Sequence, residues 1–216
     1  MAIRKIFILV FLLSLLVGCA RVPVREALKE DLNIPVGKIE GYQFIGIRYP
    51  FKVSAPPHWK MTKEFPDFLE ELGYDKPGPQ DKEQTELYVF NPETKSNVQF
   101  DFTPAGRYST FSQEMIERLT TTATGSFEEE LEEAYGKNVK AEIGLTGPVS
   151  LKGVQFAAKK FATYALKGVK REQGWVYGFS EPYQIFILFM ILGKEESNDR
   201  EDIEKILNSF EVISKK

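Results

Sequence analysis

Few side chains in this 216-residue chain can do chemistry, and their scarcity is informative. Cys19 is the single cysteine and His58 the single histidine. One histidine rules out a site with two imidazole ligands and leaves any Ser-His-Asp relay only one base. His58 lies in Pro56-Pro57-His58-Trp59, a turn-like context, and reads as a surface or packing side chain. Acidic pairs such as Asp199 and Asp202 could in principle act as acid and base in a glycosidase. At the start of a helix they more simply favour its dipole. Glu128, Glu129, Glu130, Glu132 and Glu133 form an acidic run. Consecutive glutamates cannot converge on one ion, so the run reads as a solvated helix face. The chain has no G-x-S-x-G elbow, phosphate loop or dinucleotide fingerprint. We therefore assign no catalytic, cofactor-binding or metal-binding residues and expect a protein that is not an enzyme.

The one chemically marked position is Cys19. Arg4 and Lys5 precede an almost unbroken apolar run from Ile6 to Val17. A basic start and a short apolar stretch make a secretory signal peptide. The run is too short for a membrane-spanning helix, which needs about 20 residues. Its end, Leu16-Val17-Gly18-Cys19, resembles the lipobox of bacterial lipoproteins. The resemblance implies cleavage between Gly18 and Cys19, a diacylglycerol on the Cys19 thiol and a fatty acyl group such as palmitate on the new amine. One acyl chain binds a membrane reversibly, whereas two or more anchor stably. Ala20, where an Asp would signal inner-membrane retention, implies the periplasmic face of the outer membrane in a Gram-negative cell.

The expected organisation is a signal peptide at 1–18, a lipidated Cys19 with its tether at 19–40, and one domain at 41–216. Pro23 and Pro35 punctuate the tether, which as a flexible coil would reach roughly 25 Å. Arg21 and Arg25 lie beside the lipid, where they can meet anionic headgroups. Cleavage would leave 26 basic against 31 acidic residues. An acidic chain with no basic stripe is a poor nucleic-acid binder. No second cysteine exists to form a disulfide, so stability must come from the 43% apolar residues, which suffice for a core.

Residue periodicity then outlines the domain. Tyr42–Ile47 and Phe51–Ser54 read as short strands. Phe65, Phe68, Leu69 and Leu72 give a helix ending at Gly73. Leu87–Phe90 and Val98–Phe102 form a hairpin about the Asn91-Pro92-Glu93-Thr94 turn. Met115, Leu119, Ala123, Leu131 and Ala134 or Tyr135 mark the apolar stripe of a helix over 112–135, with Gly125 as a kink or breakpoint. Lys140–Leu145, Val149–Leu151, Val154–Leu166 and Val169–Phe179 read as strands. Tyr183–Leu192 is apolar on both faces, which places it mid-sheet with cover on each side. Ile203, Ile206, Leu207 and Phe210 are the buried stripe of a closing helix over 199–210. The expected fold is α+β, an α/β/α sandwich with a largely antiparallel sheet flanked by helices.

Several of these elements, in this order, resemble the PsbP-like family. They are Gly41-Tyr42-Gln43-Phe44, Tyr49-Pro50 with Trp59, Asn91-Pro92 leading to Asn97-Val98, and the closing Ile206-Leu207-Asn208-Ser209-Phe210. The resemblance spans about residues 41–213. It implies an antiparallel sheet between helices and a role in docking or assembly, with an envelope protein as partner. It carries no catalytic residue over. An alternative role is a carrier of an apolar ligand such as lipid, in a cavity lined by Phe156, Ile187 and Phe189. A third is a hydrolase using His58 or carboxylates. Phe100, Phe102, Tyr108, Trp175, Tyr177 and Phe179 would line a groove if exposed. Aromatics at period two more often pack under helices.

Overall fold

A computed structural model describes residues 31–78, 85–106, 110–166, 168–192 and 197–213. The expected signal peptide, Cys19, most of the expected tether and Tyr108 lie outside them. All the elements below belong to one unit, Leu28–Ala105 with Phe111–Lys216. The other grouping, Met1–Ala27 with Gly106–Thr110, falls almost wholly outside the described residues.

In chain order the elements are β1 (Gly37–Glu40), β2 (Gln43–Gly46), β3 (Phe51–Ser54), β4 (Lys60–Thr62) and α1 (Asp67–Glu71). Next come β5 (Thr85–Phe90), β6 (Asn97–Pro104), α2 (Gln113–Ala123) and α3 (Phe127–Tyr135). The rest are β7 (Ala141–Ile143), β8 (Gly147–Pro148), β9 (Phe156–Leu166), β10 (Val169–Ser180), β11 (Tyr183–Ile191), α4 (Asp199–Ser209) and β12 (Glu211–Val212). The larger sheet has the order β4-β5-β6-β11-β10-β9-β7, with β8 paired to β9. The smaller has the order β1-β2-β3-β12. Every strand pair is antiparallel.

The apolar run at 183–191 is indeed central, between β6 and β10. Side chains of successive residues point to opposite faces, and this splits the core in two. Leu87, Val89, Val98, Phe100, Phe102, Ile185, Ile187 and Phe189 face the small sheet and α4. Phe51 centres that layer, with ring centroids 4.6 Å from Phe102 and 5.0 Å from Phe44. Phe210 stacks on Phe100 at 5.7 Å. Burying each such ring contributes about 1.5–3 kcal/mol. On the opposite face, Tyr88 packs under α1, Phe179 and Ala158 under α2, and Trp175, Tyr164 and Leu188 under α3.

The α+β class and the antiparallel sheet are therefore present, but the third layer is not helical alone. It combines α4 with a separate four-stranded sheet. Phe44, Phe51, Val53 and Val212 give that sheet an apolar face of its own, which it buries by lying over the large sheet. The first strand, β1, lies at 37–40, inside the stretch expected as tether.

The expected helix over 112–135 is two helices, interrupted at 124–126. The buried stripe also differs from the apolar one. Ile116 and Thr120 face the sheet with Leu119, and Leu131 is buried in α3, while Met115, Ala134 and Tyr135 are exposed. Threonine can take those places because Thr120 and Thr124 Oγ1 donate to the carbonyls of Ile116 and Thr120, both at 2.8 Å. The acidic side chains of α3 are exposed, as a solvated face requires. No helix among the described residues is long and apolar enough to cross a membrane.

Candidate functional site

The chemistry-bearing side chains converge on the first turns of α4. Ile203 and Ile206 hold this helix against the core. Asp199 and Asp202, one turn apart, project from it with buried carboxylates. Asp199 accepts hydrogen bonds from Asn91 Nδ2 at 2.9 Å and Ser96 Oγ at 2.7 Å. Ser96 Oγ in turn accepts from the Leu192 amide at 2.8 Å. One carboxylate thus ties the β5–β6 turn and the end of β11 to α4.

Asp202 has a different set of partners. Trp59 Nε1 donates to its Oδ2 at 3.2 Å, and His58 Nε2 lies 2.8 Å from the same oxygen. Lys205 Nζ donates to Oδ1 at 2.9 Å. Burial by itself would raise the pKa of Asp202. The hydrogen bonds from Lys205 and Trp59, with the charges of Lys205 and His58, outweigh it and hold the carboxyl below its ordinary value. Sequence reading treated His58 and Asp202 separately, and the fold brings them together across 144 positions.

This arrangement disfavours the carboxylate chemistry considered above. A glycosidase needs one carboxyl that keeps its proton. Asp202 is held ionised by its cationic neighbour, and both Asp199 oxygens already accept hydrogen bonds. The His58 imidazole is directed at a carboxylate shared with two other donors. The cluster joins the β3–β4 connection to α4.

Beside α4 lies a shallow groove of about 90 Å³, lined by Lys159, Phe161, Glu172, Phe189, Arg200 and Leu207 among others. Arg200 forms a two-point pair with Glu172, at 3.0 and 2.5 Å. The Phe189 ring in this lining lies against Gly174, where a Cβ would fall 1.9 Å from the ring. A larger cleft of about 430 Å³ is lined by Lys63, Glu64, Asp67, Lys76, Thr85 and Tyr88, with others. Its many charges do not suit an apolar cargo. The groove beside α4 is too small for one, since ligand pockets run to about 300–1,000 Å³.

The carrier cavity expected from Phe156, Ile187 and Phe189 does not form around those three residues. Ile187 and Phe189 are packed on the small-sheet side, whereas Phe156 packs on the α2 side. Strand alternation separates them, because the register of β9 puts even-numbered residues on the helical face. The aromatic set divides in the same way. Phe100 and Phe102 are core on one face, and Trp175, Tyr177 and Phe179 pack on the other. They line no common groove.

Sequence reading missed the buried pair of Arg48 and Glu86, 3.0 Å apart with both side chains less than a tenth exposed. Glu86 within the apolar strand Thr85-Glu86-Leu87-Tyr88-Val89-Phe90 was the available signal. A buried acid in such a strand calls for a cation. Arg48 also donates to the carbonyl of Ile34 at 3.1 Å and that of Leu32 at 3.4 Å. It thereby clasps the segment through which the chain enters the fold.

The fold and these contacts define a layered α+β domain. No protein-family model matches the chain. No curated protein matches it either. Among solved structures it is similar to the cyanobacterial PsbP (CyanoP) of Synechocystis sp. PCC 6803, with a TM-score of 0.48 and 11% identity over 87% of this chain and 98% of that one. It is also similar to LpqN, involved in cell envelope biogenesis of Mycobacterium tuberculosis, with a TM-score of 0.47 and 10% identity over 76% and 84% of the two chains. A protein of Bacteroides thetaiotaomicron VPI-5482 gives a TM-score of 0.46 at 12% identity, covering 82% of this chain and half of that one.

Proposed function

We propose that this protein is a lipid-anchored component of the cell envelope that docks on, or helps to assemble, a membrane-associated complex and performs no catalysis. The observation that carries the reading is Leu16-Val17-Gly18-Cys19 at the end of a basic and then apolar start. Removal of residues 1–18 would make Cys19 the first residue and its thiol the lipid acceptor. Ala20 favours the outer membrane of a Gram-negative cell, facing the periplasm. Two features support a binding role over an enzymatic one. The chain has a single imidazole, and it is paired with a carboxylate that also serves Trp59 and Lys205.

Fractionation of Cys19→Ala tests the anchor. The variant is expected to leave the membrane pellet after a carbonate wash, and its retention there would overturn the lipid reading. Mild in-cell crosslinking of the lipidated protein, followed by mass spectrometry, tests the docking role. A reproducible protein partner is expected. Bound lipid without a protein partner would favour the carrier instead.

A further inference from the structure

Exposed apolar side chains are unevenly spread over this domain. Among the described residues, eleven large hydrophobics are exposed. Five of them, Leu32, Ile34, Ile39, Tyr42 and Ile47, fall within sixteen consecutive positions. These residues are joined in space as well as in sequence. Arg48 holds the carbonyls of Leu32 and Ile34, the Ile47 amide donates to Val36 O at 2.9 Å, and Ile39 pairs with Phe44 across β1 and β2. β1 is the edge of the small sheet.

The chain from Cys19 enters the fold through the same segment. Asp31 follows Cys19 by twelve positions. Even a fully extended chain of that length spans only about 40 Å. A lipid on Cys19 would therefore hold this edge close to the bilayer. We propose that Leu32, Ile34, Ile39, Tyr42 and Ile47 rest in the bilayer surface, so that the domain lies with its β1 edge on the membrane. This rests on the lipid anchor proposed above. An acyl anchor limits distance and leaves orientation free, and the apolar edge supplies the orientation. Nearby charges balance: Lys38 and Lys63 stand against Asp31 and Glu40. The contact is therefore apolar and insensitive to salt. Tyr42, the most exposed of the five, has the amphipathic ring that suits the headgroup level.

The test uses the protein as the cell processes it. The mass of its N-terminal peptide is read first, which checks the lipid on Cys19 independently. Lipidated chains are reconstituted into vesicles of phosphatidylethanolamine and phosphatidylglycerol with brominated acyl chains. If Cys19 proves to carry a free thiol, it is coupled to a maleimide phospholipid in the same vesicles, so the edge contact is tested either way. Trp59 and Trp175 are buried and give a quiet background. Tyr42→Trp is expected to show blue-shifted, bromine-quenched emission that salt does not reverse. Adding Ile39→Asp and Ile47→Asp should restore its emission. Leu145→Trp, at the most exposed apolar position, should be quenched no more than the unsubstituted protein. Equal, background-level quenching of the two reporters would overturn the proposal, as would quenching of Leu145→Trp alone. A blue shift of Tyr42→Trp that grows with protein concentration without vesicles would assign the edge to a second copy and overturn it too.

Discussion

Asp199 and Asp202 stand one turn apart on the same helix, and their carboxylates serve opposite ends of the polarity range. Asp199 is 1% exposed and meets only neutral donors, Asn91 and Ser96. Asp202 is 2% exposed, yet its partners His58 and Lys205 reach solvent, with side chains 57% and 62% exposed. The first carboxylate knits strands to helix inside the protein. The second meets solvent-reaching His58 and Lys205 at the surface while Trp59 closes its inner side. Depth alone does not define what a buried acid does; its partners do. A carboxylate satisfied by neutral dipoles is structural, whereas one paired with an exposed cation such as Lys205 is open to salt.

The largest expected effect is at the neutral-donor site. Asp199→Ala would leave Asn91 Nδ2 buried without its acceptor, remove the carboxylate that Ser96 Oγ bonds and open a void under α4. Such an orphan costs about 1–3 kcal/mol and the lost bond and the void add to it, so a loss of about 3 kcal/mol is expected from urea unfolding. Asp199→Asn keeps the shape and one acceptor oxygen, and should cost less. A loss below about 1 kcal/mol for the alanine variant would show that water replaces the carboxylate, and the contrast with Asp202 would disappear.

Asp202→Ala ranks second, at about 1–2 kcal/mol, because only Trp59 Nε1 among its donors is left buried. His58 and Lys205 can turn to water. A loss as large as that of Asp199→Ala would mean that the rim is as dry as the interior.

The ranking of these two sites was only half legible in the sequence. Asn198 to Phe210 shows the helix and its Ile203, Ile206 and Phe210 stripe, because period 3.6 is written in adjacent turns. The same holds for the central strand at 183–191 and the Asn91-Pro92 turn. Partners that lie 103 to 155 positions away, such as Ser96 for Asp199 or Ser54 for Ser209, have no local signature. Nor did the split into two sheets, since short strands such as β4 and β12 carry too few residues to show a period. Hydropathy marked only part of the buried side of α2: Leu119 packs there, but Thr120 and Thr124 are buried through hydroxyl bonds that an apolar count ignores. The Cys19 anchor is the converse case, a reading made from local spacing alone.

Acid titration sharpens the contrast further. The folded pKa of Asp202 lies below its ordinary value of 3.8. A depressed carboxylate contributes stability that is fully present above the ordinary value and is lost as pH falls through the folded one. The Asp202 contribution to the stability gap between the native protein and Asp202→Asn should therefore be lost only as pH falls below about 4. Urea midpoints measured across that range check it. A gap that closed at higher pH would place another titrating group in control of this rim.

The smallest effect is expected at His58, the sole imidazole. Its side chain is more than half exposed and contributes one contact to a carboxylate that keeps two other donors, Trp59 and Lys205. A single solvent-edge contact of this kind contributes about 0–1 kcal/mol, so His58→Ala should cost about 0.5 kcal/mol. Adding salt should reduce even that, because the contact sits at the solvent edge. The same variant bears on chemistry: any hydrolytic turnover found in the protein should survive it if His58 only holds the β3–β4 connection to α4. Abolished turnover with unchanged urea stability would break the comparison at its weakest point. It would turn a surface tie into a base oriented by Asp202, and make the neutral-donor carboxylate, Asp199, the only purely structural member of the pair.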